Sequence, residues 1–267
     1  MKTPHIYRTE AVVLRQRKLG EADKILTLYS PNLGKFDAVA KGVRRLKSRK
    51  AGHVELLSHT ALLISHGRSL DIITQSEGIQ PFPALRESLE RISRAIYIAE
   101  LVDRFTEERI ENYPLYGLLL ETLCRLSERD DLDLVSRYFE LHLLAFTGYQ
   151  PQLSVCTACR APLAPVLNYF SPAAGGILCS ACRLSETSPR ALTVNALKVM
   201  RRLQSSSFTD ASRLRLSTSL LSEIEEHLRI YIRFVLEREV RSLDYIQSVR
   251  HSLPAAESVV LAARVVS

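Results

Sequence analysis

Four of the five cysteines stand in two pairs, Cys156-Thr157-Ala158-Cys159 and Cys179-Ser180-Ala181-Cys182, with 19 residues between them. CxxC–x19–CxxC falls inside the spacing of a four-thiolate metal site. Each CxxC turn can present two sulfurs to one ion, and two turns complete a tetrahedron with metal–sulfur bonds of ~2.3 Å. Four thiolates close the coordination sphere and leave no position for water or substrate. The expected ligand is therefore one structural Zn2+ per chain, held by Cys156, Cys159, Cys179 and Cys182. Two disulfides or four free thiols are the alternatives, and a reducing cytosol disfavours the disulfides. Gly175 and Gly176 precede the second pair, where the backbone is expected to turn tightly around the ion. Cys124, in a leucine-rich stretch, reads as a buried apolar filler.

The second constellation is cationic. Lys41-Gly42-Val43-Arg44-Arg45-Leu46-Lys47-Ser48-Arg49-Lys50 holds six cations and no acid. A loop of this kind can follow a phosphate backbone without reading bases. Arg15, Arg17, Lys18, Lys24 and Lys35 flank it in the same region, and the expected nucleic-acid surface is Arg15, Arg17, Lys18, Lys24, Lys35, Lys41, Arg44, Arg45, Lys47, Arg49 and Lys50. Tyr29 and Phe36 are possible stacking partners, although their alternating positions suit a core better. The distribution of charge supports a polyanion partner. Residues 1–80 carry 14 Lys and Arg against 7 Asp and Glu, whereas residues 81–267 carry 22 of each, so the whole excess of +7 lies in the first 80 residues.

The elements that must position these groups change character along the chain. In residues 1–80, Thr9–Arg15, Lys24–Ser30, Phe36–Ala40, His59–Ser65 and Leu70–Gln75 read as short strands separated by turns such as Pro31-Asn32-Leu33-Gly34. Five such strands suggest a small barrel of OB type, and an SH3-like barrel would look much the same from sequence. After Pro81-Phe82-Pro83 the period becomes helical: Leu85, Leu89, Ile92, Ile96, Ala99 and Val102 form one apolar stripe. Further helices are expected from Pro114, from Asp131 to Thr147, from Thr193 to Leu203 and from Ser219 to about Arg241. Residues 150–190, with the cysteine pairs, read as irregular. The expected class is α+β: an OB-type barrel over 1–80, then a helical domain over 81–254 with an inserted metal module at 150–190, and a tail at 255–267.

The 267 residues are 46% hydrophobic and 24% charged, ordinary values for a soluble protein. No run approaches the ~20 apolar residues of a membrane span, and Met1–Glu10 has no apolar signal-peptide core; a cytoplasmic location is expected. Catalytic signatures are missing. Gly34-Lys35 lacks the upstream glycine and the Ser/Thr of a P-loop, the carboxylates do not cluster as a two-metal nuclease requires, and no HExxH is present. Glu21 and Asp23 read as turn residues. A non-enzymatic role follows, and two kinds remain: a nucleic-acid binder, or a zinc-ribbon adaptor for another protein, for which Arg125, Arg129 and Arg137 would be candidate contacts.

At this point Glu10-Ala11-Val12-Val13-Leu14-Arg15, Gly20-Glu21-Ala22-Asp23-Lys24, Leu26-Thr27-Leu28-Tyr29-Ser30, Ala40-Lys41-Gly42-Val43-Arg44-Arg45 and Gly148-Tyr149-Gln150-Pro151, followed by the double CxxC, resemble the bacterial RecO family of DNA repair and recombination proteins. The order of parts agrees over about residues 5–245. Val54-Glu55-Leu56-Leu57-Ser58 departs from the Leu-x-Pro-Phe type of segment usual in the family. The resemblance implies an OB fold and a zinc-bearing helical domain. It implies binding to single- and double-stranded DNA and annealing of complementary strands. It also implies partnership with RecR and with the C-terminal tail of single-strand-binding protein, and through them help in loading RecA.

Overall fold

The computed structural model describes residues 6–45, 48, 51–129, 131–186 and 189–236. Lys47, Arg49 and Lys50 of the expected basic surface and the tail at 255–267 lie outside these. Close packing divides the chain into two compact units, one drawn from Met1–Asp130 and one from Asp131–Val240.

In the first unit five strands, β1 (Ile6–Leu19), β2 (Asp23–Ser30), β3 (Gly34–Ala40), β4 (His59–Ser65) and β5 (Asp71–Gln80), close into a barrel in the order β1-β2-β3-β5-β4. All neighbours are antiparallel except β3 and β5, which pair in parallel through Ala38–Asp71 and Ala40–Ile73. This is the expected OB-type closure. Alternation explains it: Ala11, Val13, Leu26, Leu28, Phe36, Ala38, Leu62, Ile64 and Ile73 form the barrel core, while their neighbours point to the other side of the sheet, where Val12 and Tyr29 are buried in turn, Tyr29 with its ring 6.3 Å from that of Tyr116. Tyr29 and Phe36 are 0% and 1% exposed, so both are core residues rather than stacking platforms. The first strand runs to Leu19, with a bulge between Val13 and Arg15 that resets the alternation.

Three helices complete the unit: α1 (Pro83–Arg86), α2 (Leu89–Phe105) and α3 (Tyr113–Glu128). The stripe read as one helix is broken after Arg86, where Ser88 caps α2 by accepting from the Arg91 N–H. The segment after α2 straps onto the barrel. Arg109 N–H donates to the Lys35 carbonyl, and the Ile110 carbonyl sits so close to Gly34 (φ +60°) that a Cβ there would lie 1.9 Å from its oxygen. Only glycine fits that site.

The second unit packs α4 (Leu132–Phe146), α5 (Val194–Ser205) and α7 (Thr218–Leu236) against one another, with the short α6 (Phe208–Ala211) between the last two in sequence. Phe139, Leu143, Leu144, Met200, Leu203, Ile224, Leu228 and Ile232 are fully buried among them. The stretch read as irregular contains a sheet of β6 (Asn168–Ser171), β7 (Gly176–Leu178) and β8 (Arg190–Leu192), in the order β7-β6-β8. Strands of three and four residues are too short to show a period, which is why the sequence hides them.

Candidate functional site

The cation-rich end of the barrel is assembled by strand register. Lys18 on β1 faces Lys24 on β2, and Lys24 faces Ala40 on β3, whose next residue is Lys41. The β1–β2 turn and the loop leaving β3 are laced together. Asp23 accepts from the Gly42 N–H at 2.7 Å, Arg44 N–H donates to the Ala22 carbonyl at 2.9 Å, and the Arg44 guanidinium donates to the Gly20 carbonyl at 3.0 Å. Gly20 and Gly42 take left-handed φ values of 58° and 67° to allow it. Asp23 is thus the first residue of β2 rather than a turn residue, and its carboxylate ties that strand to the loop after β3. Lys24 donates to Gln16 and is half-buried, whereas Lys18, Lys41, Arg44 and Arg45 are exposed and form no ion pair among the described residues.

Three other expected cations behave differently. Arg17 pairs with Asp37, and Arg15 and Lys35 both pair with Asp103 on α2, at 3.5 and 3.2 Å. Thr27 donates to the same Asp37 at 2.7 Å. Their charge is compensated on the barrel wall. The structure therefore sorts the basic residues into an uncompensated rim (Lys18, Lys41, Arg44, Arg45) and a paired wall (Arg15, Arg17, Lys35).

Sequence reasoning missed a second polar cluster on the barrel. Asp71, 6% exposed, accepts from the Tyr7 hydroxyl at 2.7 Å and from the Arg109 guanidinium, and lies 3.0 Å from His66 Nδ1. Burial works against its charged form, but these three partners outweigh it and hold the carboxyl below its usual range. Tyr7 is pushed up to about 12, first by burial and then by Asp71. Arg109 also lies 5.0 Å from the centre of the Phe36 ring. No signal in the chain ties residue 109 to residue 71.

The cysteine cluster lies in the second unit. The sulfurs of Cys156, Cys159, Cys179 and Cys182 all come within 4.8 Å of one another, and no cysteine is in a disulfide. Cys159 and Cys179 sulfurs are 3.9 Å apart, and a tetrahedron with ~2.3 Å bonds has edges of ~3.8 Å. The donor set thus fits a tetrahedral, thiophilic ion. The backbone is arranged for negative sulfurs: Cys179 N–H donates to Cys156 Sγ at 3.4 Å. Burial opposes ionisation of Cys156, yet N–H groups of Cys159, Cys179 and Ala158 bring its pKa down to about 6. Cys182 is pushed up to about 12 because Cys179 and Cys159 share its proton. Four sulfurs at this separation cannot all be negative without a cation between them.

The module is built around β6 and β7. Thr157 N–H donates to the Ile177 carbonyl, and Ile177 N–H to the Gln152 carbonyl, at 2.8 and 3.0 Å. Gly175, at φ +69°, closes the β6–β7 hairpin, and a Cβ on Gly176 would lie 2.3 Å from the Gln152 carbonyl oxygen. The two glycines thus serve the hairpin and a close strand contact, not a turn around the ion. Cys124 is only partly buried and exchanges hydrogen bonds with Gln80.

Comparison with known proteins adds the family. Residues 1–82 match the family model described as Recombination protein O N terminal, and residues 86–244 match Recombination protein O C terminal. The chain belongs to the RecO family of DNA repair proteins. It is 45% identical over 248 residues to DNA repair protein RecO of Roseiflexus sp. (strain RS-1), covering 93% of this chain and 87% of that protein. It is 40% identical over 250 residues to DNA repair protein RecO of Dehalococcoides mccartyi (strain CBDB1), covering 94% and 98%. The protein of Pelotomaculum thermopropionicum with the same name is 39% identical over 241 residues, covering 90% and 93%. None of these RecO names denotes an enzyme. The boundary between the RecO family models, at 82/86, falls where the strands end, whereas packing keeps α1 to α3 with the barrel. Among the described residues no helix is long and apolar enough to cross a membrane.

Proposed function

We propose that this RecO-family chain is a non-catalytic mediator that binds single- and double-stranded DNA through the rim of its barrel and anneals complementary strands. The observation that carries the reading is the uncompensated cluster of Lys18, Lys41, Arg44 and Arg45 beside the six-cation segment 41–50. Arginine and lysine on a loop neutralise phosphates and release counterions without covering base edges. That is the physical requirement for bringing two polyanionic strands together while their bases stay free to pair. Lys47, Arg49 and Lys50 extend the surface in this reading, and the paired Arg15, Arg17 and Lys35 set its boundary.

The chain works with RecR and with the C-terminal tail of single-strand-binding protein, and so helps RecA load on coated DNA, in the cytoplasm at the nucleoid. Membership of the RecO family supports this choice of partners. Arg137, a candidate contact for such a tail on sequence alone, is buried at 2% exposure against Glu140 and Glu225 and serves the core instead. Arg125 pairs with Glu121 on its own helix. The barrel over 1–80 would carry the DNA contact, residues 81–254 the helical body, and 255–267 a tail. Cys156, Cys159, Cys179 and Cys182 would hold one Zn2+, which when bound cross-links the two CxxC turns and performs no chemistry of its own.

The test is a fluorescence-anisotropy titration of labelled single-stranded DNA over a salt series. It compares the full chain with an Arg44→Glu, Arg45→Glu, Lys47→Glu variant. The parent should bind with a steep salt dependence. The variant should bind at least about ten-fold more weakly, with a slope shallower by ~0.7 for each phosphate left unneutralised. Unaltered binding in the variant would remove the rim from the mechanism.

A further inference from the structure

The four sulfurs of the cysteine cluster share their chemistry but not their access to solvent. Cys156 is fully buried, Cys179 and Cys182 are half-buried, and Cys159 is exposed. Each CxxC turn is closed by a backbone bond of its own: Arg160 N–H donates to the Cys156 carbonyl at 2.9 Å, and Cys182 N–H to the Cys179 carbonyl at 3.0 Å. The turns are also tied to each other away from the sulfurs, through Thr157 N–H on the Ile177 carbonyl at 2.8 Å. None of these bonds needs an ion, so the turns stay adjacent when one leaves.

The exposed sulfur has its neighbour in the other turn. Cys159 Sγ lies 3.9 Å from Cys179 Sγ. A disulfide bond is ~2.0 Å long, so the pair closes by a movement of about 2 Å that two side chains can share. Cys156 is placed differently: its sulfur is buried and receives the Cys179 N–H at 3.4 Å. Oxidation by a peroxide requires a thiolate that the oxidant can reach. In the loaded protein all four sulfurs are thiolates, because only that form binds a metal, so access decides among them.

We infer that Cys159 is the site at which hydrogen peroxide oxidises this module, and that the product is a reversible disulfide between Cys159 and Cys179. The inference rests on the reading that the four cysteines hold one ion. The Cys159 thiolate attacks one peroxide oxygen; the O–O bond breaks, hydroxide leaves, and the sulfur becomes a sulfenic acid. The Cys179 thiolate then attacks that sulfur; the S–S bond forms, the S–O bond breaks, and a second hydroxide leaves. The two sulfurs together lose two electrons, and the peroxide is reduced to two hydroxide ions. Cys156 and Cys182 alone do not complete a tetrahedron, so the ion is released. The new bond joins the first CxxC turn to the second, as the ion does, so the module exchanges one cross-link for another. A dithiol restores the four thiols by exchange.

The experiment uses the full chain, purified with its ion under a reducing agent that is then removed. Hydrogen peroxide is added, released metal is followed with a chromogenic chelator, and remaining thiols are alkylated for peptide mass spectrometry. A linked Cys159–Cys179 peptide pair should grow in step with release, at about one ion per disulfide, while Cys156, Cys182 and Cys124 are recovered as alkylated thiols. Dimedone, which traps sulfenic acids, should label Cys159 first. Dithiothreitol with added Zn2+ should restore the parent metal content. Cys159→His keeps a ligand at an exposed position, since three cysteines and one histidine also hold zinc. It removes the oxidisable thiol, and release from it should be slower by about ten-fold or more. Should that variant hold no ion, the linked peptides of the parent still decide. A Cys156–Cys159 or Cys179–Cys182 bond, a first dimedone adduct on another cysteine, or release from Cys159→His as fast as from the parent would overturn the inference. A chain that carries no ion as purified overturns the metal reading and this one together. A chain that carries an ion and forms no Cys159–Cys179 bond overturns this one alone.

Discussion

The barrel and the cysteine module are each short on residues, and they meet that shortage in different ways. The barrel closes five strands on a dozen buried side chains, so its order is spread over Ala11, Val13, Leu26, Leu28, Phe36, Ile64, Ile73 and their neighbours. The module has strands of three and four residues and gathers four thiols at one point. A distributed core loses stability in increments as side chains are trimmed. A fold gathered on one ion loses it in a single step. The same contrast separates the two candidate functions. The basic rim acts through several partly redundant charges, while the cysteine cluster acts only when complete.

The contrast would break first at a cysteine. Cys156 is fully buried, and its sulfur receives the Cys179 N–H. Cys156→Ser should abolish metal binding, from about one ion per chain to none by elemental analysis. Structural zinc contributes roughly 10–16 kcal/mol to the folding of small metal domains, so the local effect should exceed that of any single core truncation. Hydrogen exchange should lose protection at Thr157 and Ile177 while barrel amides keep theirs. Retained metal, or equal loss of protection in the barrel, would contradict the separation.

A barrel core truncation should be the next largest. Leu28 is fully buried in the core. Leu28→Ala should destabilise the first unit by ~2–5 kcal/mol through reduced burial and the cavity left behind. Metal content should stay at the parent value. A loss of metal in this variant would mean that the two regions fold as one cooperative body.

How much of this could be read in the chain differs between the regions for physical reasons. The four-cysteine cluster was legible because two local turns bring its thiols together, and local spacing is written in the sequence. The inward residues of the barrel were legible from alternation. Its compensated wall was not, because Asp103 reaches Arg15 and Lys35 only after the chain has folded α2 back onto the barrel. The parallel β3–β5 pair and the strap of Arg109 and Ile110 over β3 are likewise long-range. In the module, the hairpin role of Gly175 and Gly176 was mistaken for a role at the ion, since both readings need the same residues at the same place.

The smallest predicted effect concerns protonation in the second unit, and it asks whether the module's sheet is coupled to the helix beneath it. His227 on α7 is 4% exposed, its ring tilted against that of Phe170 of β6 at 5.7 Å between centres. Burial is the largest influence and lowers its pKa from the ordinary 6.5, against Glu223, Glu226 and the Ala191 backbone, which favour the charged form; Arg190 reinforces the lowering. A folded pKa below the unfolded one means that the unfolded chain takes up the proton first. Stability is therefore full above pH 6.5 and declines as pH falls from there toward the folded value, by no more than ~1.4 kcal/mol per pH unit for one group. Denaturant unfolding of the second unit at pH 7.5 and 5.5 should show that decline in the parent and a smaller one in His227→Phe. The barrel has its own buried imidazole, His59, also lowered by burial and partly offset by Glu10. Its decline should persist in His227→Phe. If both units lose their pH dependence together in that variant, the imidazole acts on the whole chain, and the independence of barrel and module is wrong.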